Sequence, residues 1–205
     1  MSLIAKDKGG ADFKPVPAGT HVAVCTLLAD MGVQPTGKFK PKQQLYIRWE
    51  LPNEVTSWKD ADGNEHSGPM VIGKKYTLSL SEKANLRADL ESWRGRLFSE
   101  QELKGFDIKN ILGKACMLGV THNTVGQKTY ANVSAVMGLP KGTTPPRPSV
   151  TPIAYDIDDP NPDVFAKLPS WLQEAINSRV KSDTATTVSG NGRGSDEDFD
   201  DDIPF

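Results

Sequence analysis

Gly32-Val-Gln-Pro-Thr-Gly37-Lys38 has the spacing of the first seven positions of a phosphate-binding loop and follows a segment rich in strand formers. Such a loop needs Ser or Thr next, to hold magnesium, and a helix whose N-terminus faces the phosphate. Phe39 comes next instead, Pro41 opposes a helix, and Pro35 removes an N–H where backbone donors would cradle the anion. A degenerate P-loop NTPase is therefore only a remote alternative. The same stretch carries a second chemistry. Lys38-Phe39-Lys40-Pro41-Lys42 interleaves three cations with a ring; cations offset phosphate charge, and a flat ring stacks on bases without reading their sequence. No Ser/His/Asp set or close carboxylate pair stands out. Cys25, Cys116 and the three histidines (His21, His66, His122) lack metal-ligand spacing. No metal, cofactor or enzymatic activity is expected.

The 205 residues carry a formal net charge of −2 that hides a division. Residues 1–141 hold 19 Lys+Arg against 14 Asp+Glu, a balance of +5; residues 142–205 hold 5 against 12, a balance of −7. Six of those twelve acids lie between Asp196 and Asp202. A mildly basic body joined to an acidic end suggests a polyanion-binding surface with an interaction tail. No apolar run approaches the ~18 residues of a membrane span, and no basic-then-apolar signal segment opens the chain. A cytoplasmic protein without membrane contact is expected.

The elements that must position these residues are legible coarsely. Gly19 to Leu28 is rich in β-formers and ends before Asp30-Met-Gly. Gln43 to Leu51 alternates, with Leu45, Ile47, Trp49 and Leu51 on one face and Gln44, Tyr46, Arg48 and Glu50 on the other. A polar stretch from Pro52 to Pro69 reads as a long loop. Lys75 to Leu80 makes a third strand, and Ser81 caps a helix with Leu86, Leu90 and Trp93 at helical spacing, ending near Gly95. A short helix around Asp107 to Leu112 precedes two strands, Lys114–Thr121 and Thr129–Met137, joined by a loop containing Gly126.

The order β-β-β-α-β-β is that of a mainly β OB-fold, a five-stranded Greek-key barrel with its helix between strands three and four. Small SH3-like barrels and α+β rolls compete, but neither needs a long helix there. Residues 1–142 read as this domain. Seven of fifteen prolines fall between Pro140 and Pro162, so residues 143–195 read as a linker, Pro-rich and then Ser/Thr/Gly-rich, ending in a disordered stretch. A short helix at 169–180 is expected within it, capped by Ser170, with Leu172 and Ile176 on one face. Residues 196–205 form an acidic tip on a disordered tail.

In an OB barrel the loops between strands one and two and strands four and five, with the faces of strands two and three, form the nucleic-acid groove. That assigns Lys38, Phe39, Lys40 and Lys42 from the first loop, and Tyr46 and Arg48 from strand two. Trp58 and Lys59 come from the two-three loop, where burying a Trp is hard. Lys128 and Tyr130 lie beside the four-five loop, with His122 a weaker candidate at its other side. Trp49, Trp93 and Tyr76 read as core. Tyr46 serves equally well as cross-strand packing.

Asp200-Asp-Asp-Ile-Pro-Phe205 resembles the acidic tip of bacterial single-stranded-DNA-binding proteins, in which D-D-D-I-P-F or a close variant follows a disordered linker. A Phe can fill an apolar pocket while its carboxylate meets a basic residue, and the acids steer the approach. The resemblance implies that Asp200, Asp201, Asp202, Ile203, Pro204 and Phe205 recruit partner proteins. The body departs from the bacterial proteins in its N-terminal start and its longer helical segment. WELP, EKANLR, LESWRGRLF, ELKGFDIKNILGKACML and the closing YANV…MGLPKG resemble instead bacteriophage or prophage single-stranded-DNA-binding proteins, over residues 12–142. This implies a protein that coats and protects single-stranded DNA during phage DNA replication, recombination or repair. Its partners would be single-stranded DNA and host or phage replication, recombination and repair proteins, in the bacterial host cytoplasm. A homo-oligomer, a dimer in the first place, is the expected assembly. An OB-fold adaptor that binds only protein is the alternative.

Overall fold

The computed structural model describes residues 14–59 and 63–180. The chain is mainly β: a curled antiparallel sheet in the form of a half-barrel, with few helices. Its strands are β1 (Gly19–Thr36), β2 (Phe39–Lys59), β3 (Glu65–Thr77), β4 (Ala115–Val125) and β5 (Lys128–Met137), in the order β3-β2-β1-β4-β5. The edge strands β3 and β5 approach each other across the open side. Between β3 and β4 lie α1 (Asn85–Arg94), the short α2 (Glu100–Leu103) and a 3-10 turn at Ile108–Ile111.

The alternation of β2 decides what the sheet encloses. Leu45, Ile47, Trp49 and Leu51 are all buried, and they meet Ala23, Cys25 and Leu28 of β1, Met70, Ile72 and Tyr76 of β3, and Cys116, Leu118 and Val120 of β4. The helix α1 closes this core with Leu86, Leu90 and Trp93, the three residues its spacing predicts. It starts after Ala84 rather than at Ser81, whose carbonyl accepts the Ala84 N–H in a preceding turn, and it ends at Gly95 as expected.

Four strands run longer than expected, although β3 ends at Thr77 and not at Leu80. Asp30-Met-Gly reads as a turn but is a bulge: β1 continues to Thr36, with irregularities at Cys25/Leu27, Asp30/Gly32 and Gln34/Thr36. The polar stretch from Pro52 to Pro69 is no loop either. It extends the β2–β3 hairpin, with Trp58 paired to His66 and Lys59 to Glu65. β4 and β5 meet at a two-residue turn, Gly126-Gln127, so His122 belongs to a strand.

A second layer covers the other face of β1, and the expected boundary near Gly142 does not hold. β6 (Ile153–Tyr155) pairs parallel to Leu27–Ala29, followed by α3 (Pro162–Ala166) and α4 (Ser170–Asn177). The bulge after Cys25 turns Leu27, Ala29 and Met31 outward, and they bury Tyr155, Leu168, Leu172 and Ile176. Leu172 and Ile176 therefore face the body as their spacing predicts, though Pro169 and not Ser170 holds the cap position. Glu50 pins the start of this layer, its buried carboxylate accepting the Ser149 N–H (2.8 Å) and hydroxyl (2.7 Å). At its end the Val180 N–H donates to the Val33 carbonyl at 2.8 Å. Gly32, at φ +67°, sits where the layer crosses β1; a Cβ there would stand 2.6 Å from Arg179 Cδ and 2.8 Å from Ile157 Cδ1. The remaining segments, including the acidic tip at 196–205 and the stretch expected to be disordered before it, lie outside the described residues.

Ser99 and Glu102 form a capping box that starts α2. Arg96 donates to Glu102 through both terminal nitrogens (2.8 and 3.0 Å), Arg94 donates to the same carboxylate, and so does the Ser99 N–H at 2.9 Å. The Arg96 hydrogen bond is the largest cause that holds the Glu102 pKa down at about 2, from an ordinary value of 4.5. A depressed carboxylate stabilises the fold fully above its unfolded pKa and loses that effect as pH falls through the folded one. The contribution should thus be complete above pH 4.5 and vanish toward about 2. NMR titration of the Glu102 side-chain carbon should give a midpoint near 2; a midpoint near 4.5 would mean the clasp does not form.

Candidate functional site

The Gly32–Lys38 segment ends in a β-hairpin: Thr36 pairs with Phe39, Gly37 and Lys38 make the turn, and Phe39 opens β2. No helix N-terminus stands behind it, so the backbone offers none of the converging N–H groups that a phosphate-binding loop needs. Among the described residues no group of three or more His, Cys, Asp or Glu is placed to hold a metal ion. Burial pushes both thiols up, Cys25 to about 12, so neither supplies a thiolate near neutral pH. No helix among the described residues is long and apolar enough to cross a membrane.

Eight of the ten residues assigned from sequence fall into three places along the sheet. Lys38, Phe39, Lys40 and Lys42 occupy the β1–β2 turn and the start of β2, with the Phe39 ring 61% exposed. Trp58 and Lys59 lie at the far end of β2, and Lys128 and Tyr130 lie beside the β4–β5 turn. Because all five strands are antiparallel neighbours, the β2–β3 and β4–β5 turns share one end of the sheet and the β1–β2 turn lies at the other. The 21 residues of β2 span up to ~69 Å at ~3.3 Å each. Phe39 and Trp58 therefore cannot line one pocket. They stand at opposite ends of the sheet.

Trp58 and Tyr130 are both 50% exposed. Trp58 stacks on His66 across the ribbon at 5.9 Å, which orients its ring but leaves the opposite face uncovered by any described ring contact. Its side of the sheet differs from the one its numbering suggests. Between Leu51 and Val55 three residues of β2 go unpaired against β3, and an odd insertion flips strand parity. Trp58 thus continues the face of Trp49 beyond the core, and not the face of Tyr46. Tyr130 sits opposite Asn123, on the side of β5 away from Ala131 and Val133.

Tyr46 and Arg48 do face away from the core, midway along β2, but they are half-buried. Tyr46 packs beneath the second layer, edge-on to Trp171 of α4 at 4.9 Å, and burial pushes its phenol up. This outward face of the sheet was legible in the alternation; its cover was not, because α4 lies 125 positions farther along the chain.

The cations divide by their company. Lys59 pairs with Glu65 at 3.4 Å, both side chains largely exposed, an arrangement of little energetic weight. Lys38, Lys40 and Lys128 are exposed and make no ion pair among the described residues. His122 has a structural partner, its Nε2–H donating to the Val16 carbonyl at 2.7 Å. A cavity of about 490 Å³ exists elsewhere, between α1, α2 and the 3-10 turn, lined by Trp93, Arg94, Glu102, Phe106 and Lys114 among others. None of the ten residues lines it. Exposed rings thus lie beside or near lysines along the strands, a combination of flat faces and positive charge. Comparison with protein-family models, with curated proteins and with solved structures yields no match for this chain.

Proposed function

We propose that this chain is an OB-fold protein that binds single-stranded DNA without strong sequence preference. The observation that carries the reading is the set of three half-exposed or more exposed rings, Phe39, Trp58 and Tyr130, each one residue from or next to a lysine or another ring, at the hairpin ends of a curled sheet. Stacking on such rings is sequence-tolerant because every base has a π face, and lysines track the phosphates. The strand order β3-β2-β1-β4-β5, the approach of β3 to β5 and the helix between β3 and β4 support the Greek-key barrel. The resemblance to bacteriophage and prophage proteins supports a role in phage DNA replication, recombination or repair within the bacterial cytoplasm. The acidic segment from Asp196 onward then serves to recruit replication or repair proteins.

Competition in fluorescence anisotropy tests this reading. A labelled oligo-dT should be displaced by unlabelled single strand of equal length and hardly at all by duplex, since a stacking track needs unpaired bases. Equal displacement by both would count against it.

A further inference from the structure

Ala29, Tyr46 and Lys75 form one cross-strand row over β1, β2 and β3 on the outward face of the sheet. Tyr46 lies across Gly73, where a Cβ would stand 2.1 Å from the phenol oxygen and 2.3 Å from Cζ. Any side chain at 73 would lift that ring. With Tyr46 held low, α4 brings Trp171 onto it at an interplanar angle of 87°, and Lys75 Nζ stands 5.3 Å from the Trp171 ring centroid. Two neighbours thus fix the indole, yet it remains 42% exposed, whereas Leu172 and Ile176 of the same helix are fully buried.

Packing alone does not account for this arrangement. An indole needed only as cover would bury its apolar area, as Leu172 does. The charges around it point the same way. Lys75 makes no ion pair among the described residues; Arg48, next outward residue along β2, makes none either, and its buried Nε has no hydrogen-bond partner. A positioned, solvent-facing ring therefore stands beside Lys75, with Arg48 two positions along β2 from Tyr46, and among the described residues neither cation is in an ion pair with a carboxylate.

We propose that Trp171 is a base-stacking residue of the single-stranded-DNA path, with Lys75 and Arg48 taking the adjoining phosphates. Residues beyond 142 then form part of the binding surface and are more than a tether. This inference rests on the single-stranded-DNA reading above and adds a station on the outward face of the sheet, midway along β2.

Anisotropy titrations of the full chain with labelled oligo-dT test it. Trp171→Leu keeps apolar bulk over Tyr46 but has no π face, and should weaken binding roughly 5- to 150-fold. Trp171→Phe should recover most of that loss. Lys75→Gln, at an exposed position, should lower the salt dependence of log affinity by ~0.7, one phosphate contact. Unchanged affinity in Trp171→Leu together with an unchanged slope in Lys75→Gln overturns the proposal while leaving DNA binding to the other residues. Equal losses in Trp171→Leu and Trp171→Phe mark a packing role and also overturn it. Failure of the unaltered chain to bind oligo-dT overturns this proposal and the functional reading together.

Discussion

Replacing Trp49 by Ala should destabilise the fold by roughly 3–5 kcal/mol, the range for an aromatic side chain removed from a packed core. Trp49 is fully buried at the centre of β2, 6.2 Å from the Trp93 ring of α1, and it joins the sheet to the helix that closes the core. Its Nε1 is buried without a hydrogen-bond partner. Trp49→Phe removes that unsatisfied donor along with part of the ring, so it should cost clearly less than Trp49→Ala. Urea denaturation monitored by circular dichroism measures both. An alanine variant as stable as the unaltered chain would mean that the alternation of β2 has been assigned to the wrong face.

Removing the exposed rings should do the reverse. The triple variant Phe39→Ala, Trp58→Ala, Tyr130→Ala should keep its denaturation midpoint close to that of the unaltered chain, because none of the three contributes to the buried core. Its affinity for oligo-dT should collapse. Each stacked base is worth roughly 1–3 kcal/mol, and rings at opposite ends of β2 lie too far apart to share a partner, so their losses should add. The expected sum is at least about 3 kcal/mol, or upward of ~100-fold in affinity. Anisotropy titrations of the single and triple variants measure it; a triple variant that binds as tightly as the unaltered chain would remove the stacking track.

The parts of the fold legible in the sequence are those where one physical signal acts alone. Leu45, Ile47, Trp49 and Leu51 alternate without interruption and all reach the core; Leu86, Leu90 and Trp93 keep helical spacing and close it. The misread parts are those where two signals compete. Asp30-Met-Gly has turn chemistry, but Asp30 uses its carboxylate to accept the Gly32 N–H at 2.8 Å within a bulge, and the strand continues. Pro52 to Pro69 lacks apolar alternation because much of that ribbon extends past the core, where nothing enforces a buried face.

The second layer shows a further limit. Prolines separate its apolar residues, so each looks isolated until Leu27, Ala29 and Met31 are known to point outward. One clue was present. From Ala23 to Ala29 every residue of β1 is buried, and such a continuous run, unlike alternation, belongs to a strand covered on both faces. The candidate site was legible as residue types in loops, and less so as geometry. Lysines and rings at hairpin ends were correctly seen as exposed, while the three unpaired residues after Leu51 moved Trp58 to the other face, which no counting of odd and even positions can anticipate. The capping box Ser99-x-x-Glu102 was readable too, though four residues of helix leave little other pattern.

Whether the lysines hold a nucleic-acid backbone can be read from one titration. Lys38, Lys40, Lys42, Arg48, Lys59 and Lys128 are the cations that the sequence assigns to the track. If most of them neutralise a phosphate, log affinity for oligo-dT should fall against log salt with a slope near 0.7 per contact, about 4 for the full set. Between 50 and 200 mM salt the affinity should then drop about a hundredfold or more. Tight, salt-dependent binding with that slope is the predicted result; no binding at 50 mM salt, or an affinity indifferent to salt, would contradict a single-stranded-DNA-binding function.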